Sequence, residues 1–171
     1  SEKSLAQNNI NNAHSHNDYL NKRPLFSALE NNFKSIEVDV FLLKSDLYVG
    51  HNWLQLRKNK TIEKLYLGPL WKLFNKNKGF IYQNKVPLFL LVDIKTAAKP
   101  TYDILKIILK KYKPMLTRVV SDSLVQGSVT IILSGNKPNL EDFKYNIDRF
   151  VFLDGRFSNI SKNISNLLMP I

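Results

Sequence analysis

The segment that most constrains the fold is residues 86–94, which read Val-Pro-Leu-Phe-Leu-Leu-Val-Asp-Ile. This stretch is apolar on both faces until a single carboxylate near its end. A strand without a polar face must be covered on both sides, which is typical of a parallel sheet flanked by helices. Short apolar segments alternate with helical patterns along the rest of the chain. The sequence therefore predicts an α/β fold built from repeated strand–helix units.

The predicted strands and helices follow from apolar spacing and from turn residues. Strands are predicted at residues 10–14, 35–43, 47–50, 86–94, 128–133 and 150–153, and a further strand begins within residues 167–171. Helices are predicted at residues 24–32 and 69–76, from Thr101 onward, and briefly from about Asn139. We expect residues 61–67 to be extended, because Gly68 and Pro69 follow them and break the pattern.

A length of 171 residues is enough to bury the core of one domain. We expect a single domain over residues 1–171, with residues 1–9 as a flexible N-terminal segment. Its polar start, Ser1 without an initiator Met, predicts a processed chain that is extracytoplasmic after removal of a signal peptide. The chain has no cysteine, which excludes disulfides and thiolate chemistry.

The charge is strongly positive: 25 basic and 14 acidic residues give a formal net charge of +11. Such a charge favours phosphate-bearing partners or a membrane surface. The lysines are nevertheless scattered, and the tightest run, at residues 110–113, lies beside an apolar helical stripe where a solvated face is expected. Nucleic-acid binding is therefore not expected.

Polar residues stand near the ends of three predicted strands: His14 and His16, then Glu37 and Asp39, then Asp93. The carboxyl ends of parallel strands open on one side of the fold, so these side chains are expected to converge. Glu37 and Asp39 are two residues apart and point to the same face. Two such carboxylates repel unless a cation or a proton lies between them. A hard divalent ion, Mg²⁺ or Ca²⁺, is the expected cofactor because it prefers oxygen ligands.

Histidine is scarce, with three in the chain. His14 and His16 leave the first strand on the same side, and His51 follows the second strand closely. All three are candidates for proton transfer, since imidazole takes and gives protons near neutral pH.

Four ordered blocks carry a resemblance to a known superfamily. They are Ala13-His14-Ser15-His16-Asn17-Asp18-Tyr19, Ser35-Ile36-Glu37-Val38-Asp39-Val40, Leu47-Tyr48-Val49-Gly50-His51 and Leu91-Val92-Asp93-Ile94-Lys95-Thr96. The chain resembles the phospholipase C-like phosphodiesterases, which include glycerophosphodiester phosphodiesterases, phosphatidylinositol phospholipases C and sphingomyelinases D. It is most similar to the branch with a His-Ser-His-Asn-Asp-Tyr block. Ser134-Gly135-Asn136-Lys137-Pro138 and Leu153-Asp154-Gly155-Arg156 are similar to later blocks of that branch.

This resemblance implies a TIM (β/α)8-type barrel that is incomplete at the C-terminus of this chain, since such barrels continue for several more strands. It implies that Glu37, Asp39 and Asp93 hold the divalent ion and that His51 is one catalytic histidine. The second catalytic histidine is His14 or His16. Substrate binding is assigned to Asn17 and Lys95 by the same resemblance.

The expected function is metal-assisted cleavage of a glycerophosphodiester, a phosphoinositide or a related phospholipid headgroup, with two histidines as base and acid. Attack comes from water or from a neighbouring hydroxyl of the substrate, and the sequence leaves both open. Two alternatives remain. One is a zinc hydrolase of the amidohydrolase or polymerase-histidinol-phosphatase type with His14 and His16 as ligands. The other is a barrel that binds phospho-headgroups without cleaving them.

Overall fold

A computed structural model of the chain describes residues 13–121, 123–143, 149–155 and 168–169. Its strands are β1 (His14–Ser15), β2 (Ser35–Leu43), β3 (Asp46–Val49), β4 (Leu88–Ile94), β5 (Arg118–Val120), β6 (Ser123–Val125), β7 (Val129–Gly135), β8 (Val151–Asp154) and β9 (Leu168–Met169). Its α-helices are α1 (Phe26–Glu30), α2 (Gly68–Lys76) and α3 (Ala98–Lys110). Turns of 3-10 helix lie at Asp18–Leu20, Trp53–Gln55, Lys113–Met115 and Leu140–Phe143, and a π-helical turn at Glu63–Leu67 precedes α2.

The central sheet is mostly parallel, as the sequence predicts. Its strand order is β1-β2-β4-β7-β8-β9, so neighbouring strands follow one another along the chain. Every pair on this path is parallel. The exception is β3, which turns back from β2 and pairs with it in antiparallel register. The predicted mixed α/β class is therefore confirmed.

The two faces of the sheet have different surroundings, because successive side chains of a strand point to opposite sides. The face that packs against the helices holds the larger core: Ile36, Val38, Val40, Leu88, Leu90, Val92 and Ile94 from β2 and β4, with Leu70, Leu105 and Leu109 from α2 and α3. The opposite face holds a smaller cluster: Leu91, Val119, Ile132 and Phe152. Glu37 lies opposite Leu91 in the parallel register, so β2 presents its carboxylates on this second face.

The described strands form an open sheet, and among them no closed barrel is seen. Residues 10–12 of the first predicted strand and residues 167, 170 and 171 of the last one lie outside the described residues. None of the described helices has the length and hydrophobicity of a membrane-spanning segment.

Of residues 61–67, predicted to be extended, Thr61 pairs with Tyr48 in an antiparallel bridge. The prediction is wrong for the rest, because Glu63–Leu67 forms a π-helical turn that runs into α2. The N–H of Gly68 donates to the carbonyl oxygen of Glu63. A Cβ atom on Gly68 would lie 2.9 Å from that oxygen, so glycine permits the close approach. Pro69 lies in the first turn of α2, directly after the π-helical turn. The helix therefore passes through the Gly68-Pro69 pair by way of a π-helical turn and does not end there.

Two further helix predictions need correction. The helix expected at residues 24–32 is confined to Phe26–Glu30, because Leu25 takes a positive φ of 66° while its N–H donates to the Asp18 carboxylate. The helix expected to be capped by Thr101 begins one turn earlier, at Ala98. Thr101 is buried inside it and donates its hydroxyl to the Ala97 carbonyl at 2.6 Å.

The hairpin of β5 and β6 was not predicted from the sequence. Its strands have three residues each and are too short to show a period of two. The strands expected at residues 128–133 and 150–153 are present as β7 and β8 with ends shifted by one or two residues.

Removing the Leu90 side chain should test its burial in the main core. Leu90 is 0% exposed beneath the helices, so Leu90→Ala should lower the free energy of unfolding by about 2–5 kcal/mol. Leu124→Ala is the matched control, since Leu124 is 50% exposed and its loss should cost less than about 0.5 kcal/mol. Urea unfolding followed by circular dichroism measures both. Similar losses in the two variants would contradict this arrangement of the core.

Candidate active site

Three carboxylates meet on the second face of the sheet. Glu37 and Asp39 are two residues apart on β2, and Asp39 lies directly opposite Asp93 of β4 in the parallel register. One carboxylate oxygen from each of the three residues lies within 4.8 Å of the others. Asp39 is fully buried and Glu37 nearly so. The convergence expected from strand spacing is therefore present, and a single ion could be bridged by this set.

Asp39 is the most enclosed of the three and is contacted from several sides. Its Oδ2 accepts a 2.7 Å hydrogen bond from the hydroxyl of Tyr19 and lies 3.2 Å from Nδ1 of His51. Burial raises the pKa of Tyr19 far above its ordinary value, and the Asp39 charge raises it further. The tyrosine hydroxyl therefore stays protonated and acts as a donor to the carboxylate.

Two buried oxygens of this set have no hydrogen-bond partner among the described residues: Oδ1 of Asp39 and Oδ1 of Asp93. Buried carboxylate oxygens are normally hydrogen-bonded or paired with a cation. These two atoms come from facing positions of neighbouring strands. Oδ1 of Asp39 has the Lys95 ammonium group at 3.3 Å, so Oδ1 of Asp93 is the oxygen left with neither a hydrogen bond nor an ion pair among the described residues.

Lys95 places its ammonium group beside the same two aspartates. Its Nζ lies 2.9 Å from Oδ2 of Asp93 and 3.3 Å from Oδ1 of Asp39. Burial lowers the pKa of Lys95, but the hydrogen bonds and charges of Asp93 and Asp39 outweigh it, and the pKa is raised overall. The ammonium group therefore remains charged and offsets part of the repulsion between the carboxylates.

The hairpin of β2 and β3 delivers His51 to this site. β3 returns antiparallel to β2, with Val49 opposite Val40, and the N–H of Gly50 approaches the carbonyl oxygen of Asp39 at 3.4 Å. The backbone N–H of His51 donates to Oε1 of Gln55 at 2.8 Å, which fixes the turn. Its ring Nδ1 faces Asp39. Nε2 has no hydrogen-bond partner in the described part of the chain and is available for proton transfer.

His14 and His16 both contact Glu37. Nε2 of His14 lies 3.2 Å from Oε2 of Glu37, and Nδ1 of His16 lies 2.6 Å from the same oxygen. The other ring nitrogen of His14 lies 2.8 Å from the hydroxyl of Ser35. His14 is thus held at both nitrogens, whereas His16 is largely exposed. The two rings and Glu37 form a second group that could ligate a metal.

A buried carboxylate shapes the loop that follows β1. Asp18 is fully buried and accepts hydrogen bonds from the hydroxyls of Ser15 and Tyr66, the side-chain amide of Asn21 and the backbone N–H of Leu25. Four donors satisfy the charge without any metal. Asp18 therefore orders the loop that carries Asn17 and Tyr19 and is not itself part of the cation site.

Gly135 closes the site from the side of β7. Its φ is +63°, and a Cβ atom there would lie 2.0 Å from Oδ1 of Asp93 and 2.7 Å from the carbonyl oxygen of Ile94. No side chain fits in that space. The glycine therefore permits both the turn after β7 and the position of the Asp93 carboxylate.

All eight residues predicted to serve the site lie around it. The set comprises His14, His16, Asn17, Glu37, Asp39, His51, Asp93 and Lys95. Asn17 has a positive φ of 48°, and its Oδ1 lies 3.0 Å from the hydroxyl oxygen of Tyr19. Its substrate-binding role stays a prediction, as do the roles of the other seven.

Four residues that support the site were not predicted from the sequence: Asp18, Tyr19, Ser35 and Gly135. Asp18 and Tyr19 belong to the quoted His-Ser-His-Asn-Asp-Tyr block, and Gly135 belongs to the quoted Ser-Gly-Asn-Lys-Pro block, so a signal was present. Their contacts depend on residues far along the chain, such as Tyr66 and Asp93, and only the folded structure reveals them.

Comparison with known proteins gives a family match over most of the chain. The model of the AIM6-like phosphodiesterase domain matches residues 5–154. The altered inheritance of mitochondria protein 6 homolog of Arthroderma benhamiae is 31% identical over 183 residues, which cover 92% of this chain and 57% of that protein. Altered inheritance of mitochondria protein 6 of Saccharomyces cerevisiae is 31% identical over 185 aligned residues, and the match covers 90% of this chain and 47% of that protein. The Eremothecium gossypii protein of that name is 31% identical over 172 aligned residues, and the match covers 86% of this chain and 43% of that protein.

The chain spans about half the length of the curated relatives it matches. No solved structure matches it significantly.

Replacing Gly135 with alanine should test the contact with Asp93. Gly79 is the matched control, because it too has a positive φ, of +100°, but a Cβ atom there would meet nothing closer than 3.9 Å. Both variants share the left-handed backbone cost of about 1–2 kcal/mol. Gly135→Ala should lose about 1–3 kcal/mol more, since the methyl group must displace Asp93 or backbone. Chemical denaturation of both variants measures the difference, and equal losses would contradict the close approach.

Proposed function

This chain belongs to the AIM6-like phosphodiesterase domain family, and on that basis we propose that it cleaves a phosphodiester with the help of one divalent cation, Mg²⁺ or Ca²⁺. The proposed substrates are glycerophosphodiesters, phosphoinositides and related phospholipid headgroups, and the proposed fold is a single TIM (β/α)8-type barrel of which the parallel strands form part. The observation that carries the proposal is the convergence of Glu37, Asp39 and Asp93 within 4.8 Å, with His51 held against Asp39.

The residues proposed to hold the cation are those three carboxylates. Support comes from the buried Oδ1 atoms of Asp93 and Asp39. That of Asp93 has neither a hydrogen bond nor an ion pair within the described residues, and that of Asp39 has the Lys95 ammonium group at 3.3 Å. Oxygen-only ligand sets suit hard cations that keep some bound water. When bound, such an ion would neutralise charge on the non-bridging phosphate oxygens. Lys95, charged and beside the same aspartates, would contact the phosphate from the adjacent side.

His51 is proposed as one of the two proton-transfer groups. When Nδ1 carries the proton and donates a hydrogen bond to Asp39, Nε2 is left unprotonated and can act as a base. The same hydrogen bond fixes the plane of the ring. This arrangement allows Nε2 to take a proton from water or from a substrate hydroxyl, or to return one to the leaving oxygen.

His14 is proposed as the second proton-transfer group. Ser35 holds Nδ1 of His14, so its position is fixed more firmly than that of His16. Nε2 rests on Glu37 at 3.2 Å and would exchange that contact for the substrate oxygen when it transfers a proton. A catalytic group benefits from a rigid support, because misplacement lowers the rate. His16 is then expected to contact the phosphate or to orient Glu37.

A zinc hydrolase is the second candidate function, and one observation favours it: His14, His16 and Glu37 together offer a metal two nitrogens and one oxygen. Such mixed sets suit zinc better than magnesium. Zinc hydrolases of the amidohydrolase and polymerase-histidinol-phosphatase types draw on several further histidines, however, and the remaining His51 faces Asp39 instead. A barrel that only binds phospho-headgroups is a third possibility, which measured turnover would exclude.

Losing His51 should remove most of the activity. His51→Ala in the full-length protein should lower kcat for bis-p-nitrophenyl phosphate by about 10² to 10⁴ at saturating Mg²⁺ or Ca²⁺, because general acid–base catalysis contributes on that order. The melting temperature should hardly change, since the ring is exposed. Near-normal turnover would refute the role of His51.

The pair of His14 and His16 provides an internal comparison for the same assay. His14→Ala should cause a loss comparable with that of His51→Ala, and His16→Ala a smaller one. A larger loss for His16→Ala would reverse the assignment within the pair but leave the two-histidine mechanism standing.

Cation binding should depend on the aspartates that face each other across β2 and β4. Titration calorimetry with Mg²⁺ and Ca²⁺ should show an affinity at least about tenfold weaker in Asp93→Asn, since one anionic ligand is lost. Asp103→Asn is the matched control, because Asp103 is an exposed carboxylate on α3 paired with Lys99.

The same preparation separates the two metal hypotheses. Zinc that survives dialysis and is released by His16→Ala would favour the zinc hydrolase. An unchanged Mg²⁺ and Ca²⁺ affinity in Asp93→Asn would contradict the carboxylate site.

A further inference from the structure

Two loops beside the candidate active site expose large apolar side chains. Leu20 is 63% exposed in the turn after β1, and Trp53 and Leu54 are 57% and 85% exposed in the turn after β3. Single exposed apolar residues are ordinary, but adjacent ones near a site mark an interaction surface. Leu20, Trp53 and Leu54 are here called the apolar rim.

The apolar rim adjoins the candidate catalytic residues. Leu20 and Gln55 line one cavity of about 350 Å³ together with Tyr19, Gly50 and Arg57. Tyr19 contacts Asp39 and His51 directly. Gln55 belongs to the same turn as Trp53 and Leu54, and its side-chain oxygen accepts a hydrogen bond from the backbone N–H of His51. A surface that bound at the rim would therefore lie next to the candidate active site.

The two chain segments that carry the apolar rim contain basic residues and no acidic ones. Residues 47–62 contain Arg57, Lys58 and Lys60 and no aspartate or glutamate, and residues 19–29 contain Lys22 and Arg23 and no acidic residue. Arg23 is paired with Glu30 on α1. The other cations leave an excess of positive charge beside exposed Trp and Leu. Apolar side chains flanked by basic ones complement an anionic bilayer, where the rings and alkyl groups enter the interface and the cations meet the headgroups.

We propose that the apolar rim docks onto an anionic membrane surface and so brings the candidate active site to phospholipid headgroups. This inference rests on the proposed function for the identity of the substrate, but the docking itself does not require catalysis. Trp53 is suited to the interface, since its ring packs against Phe41 at 4.8 Å between centroids while more than half of the residue stays exposed.

Vesicle co-sedimentation with the full-length protein tests the docking. The protein should bind vesicles of phosphatidylcholine mixed with phosphatidylglycerol and bind vesicles of phosphatidylcholine alone more weakly. Rising salt should weaken the binding, because ions screen the attraction to the headgroups. Leu54→Ser should weaken binding to the mixed vesicles by roughly tenfold, since one inserted leucine is lost. The double variant Trp53→Ser/Leu54→Ser should weaken it further.

The matched controls are Ile107→Ser on α3 and Leu124→Ser on β6, which remove apolar residues that are 58% and 50% exposed elsewhere on the molecule. Both should bind the mixed vesicles as the unaltered protein does. Absence of vesicle binding by the unaltered protein would overturn the proposal. An equal loss in the controls, or concentration-dependent self-association that is lost with Leu54→Ser in place of vesicle binding, would also overturn it.

A soluble substrate separates the docking from the chemistry. Turnover of bis-p-nitrophenyl phosphate by Leu54→Ser should equal that of the unaltered protein, because Leu54 contacts none of the proposed catalytic groups within the described residues. Reduced vesicle binding with full soluble turnover supports the docking. Vesicle binding that depends on Leu54 in a protein without any turnover would leave the docking standing and refute the proposed function.

Discussion

The mutual repulsion of three buried or half-buried carboxylates is the constraint around which this structure is arranged. Like charges a few ångströms apart, in surroundings less polar than water, disfavour one another strongly. Two groups reduce this repulsion: the charged ammonium group of Lys95, which pairs with both aspartates, and the protonated hydroxyl of Tyr19, which donates a hydrogen bond to Asp39. Oδ1 of Asp93 remains without a hydrogen bond or an ion pair among the described residues, so these two groups do not satisfy every carboxylate oxygen. The divalent cation proposed above would neutralise the remaining negative charge.

Much of the fold could be predicted from local patterns. The apolar run at residues 86–94 required a sheet covered on both sides, and the parallel order of β1, β2, β4, β7, β8 and β9 agrees with it. The failures occurred where one specific hydrogen bond, to a residue five or seven positions earlier, overrides the general preference of the residue type. Gly68 and Pro69 ordinarily break a helix. Here the helix continues through them, because a π-helical turn forms in which the N–H of Gly68 donates to the carbonyl oxygen of Glu63. Leu25 was expected in a helix, but its N–H is taken by the buried carboxylate of Asp18.

The candidate site was predictable for a different reason. A period of two puts Glu37 and Asp39 on one face from sequence alone, and parallel strand ends bring Asp93 to them. What the sequence could not reveal is the support behind these residues. The space kept by Gly135 and the hydrogen bond from Tyr66 to Asp18 join positions separated by about 40 or 50 residues. The roles of the site residues, the closure of the barrel and the extracytoplasmic location stay predictions.

The hairpin of β2 and β3 has a consequence for the order of folding. Asp39 and His51 are 12 residues apart along the chain and are joined by antiparallel pairing, whereas Asp93 reaches Asp39 only when β4 pairs with β2 across a gap of more than 40 residues. Loop closure over the longer gap costs more conformational entropy, so the contact between His51 and Asp39 is favoured to form first. The charge repulsion between Asp39 and Asp93 then arises in a later step, when β4 docks. Cations that bind the carboxylates would therefore speed the late stage of folding more than the early one.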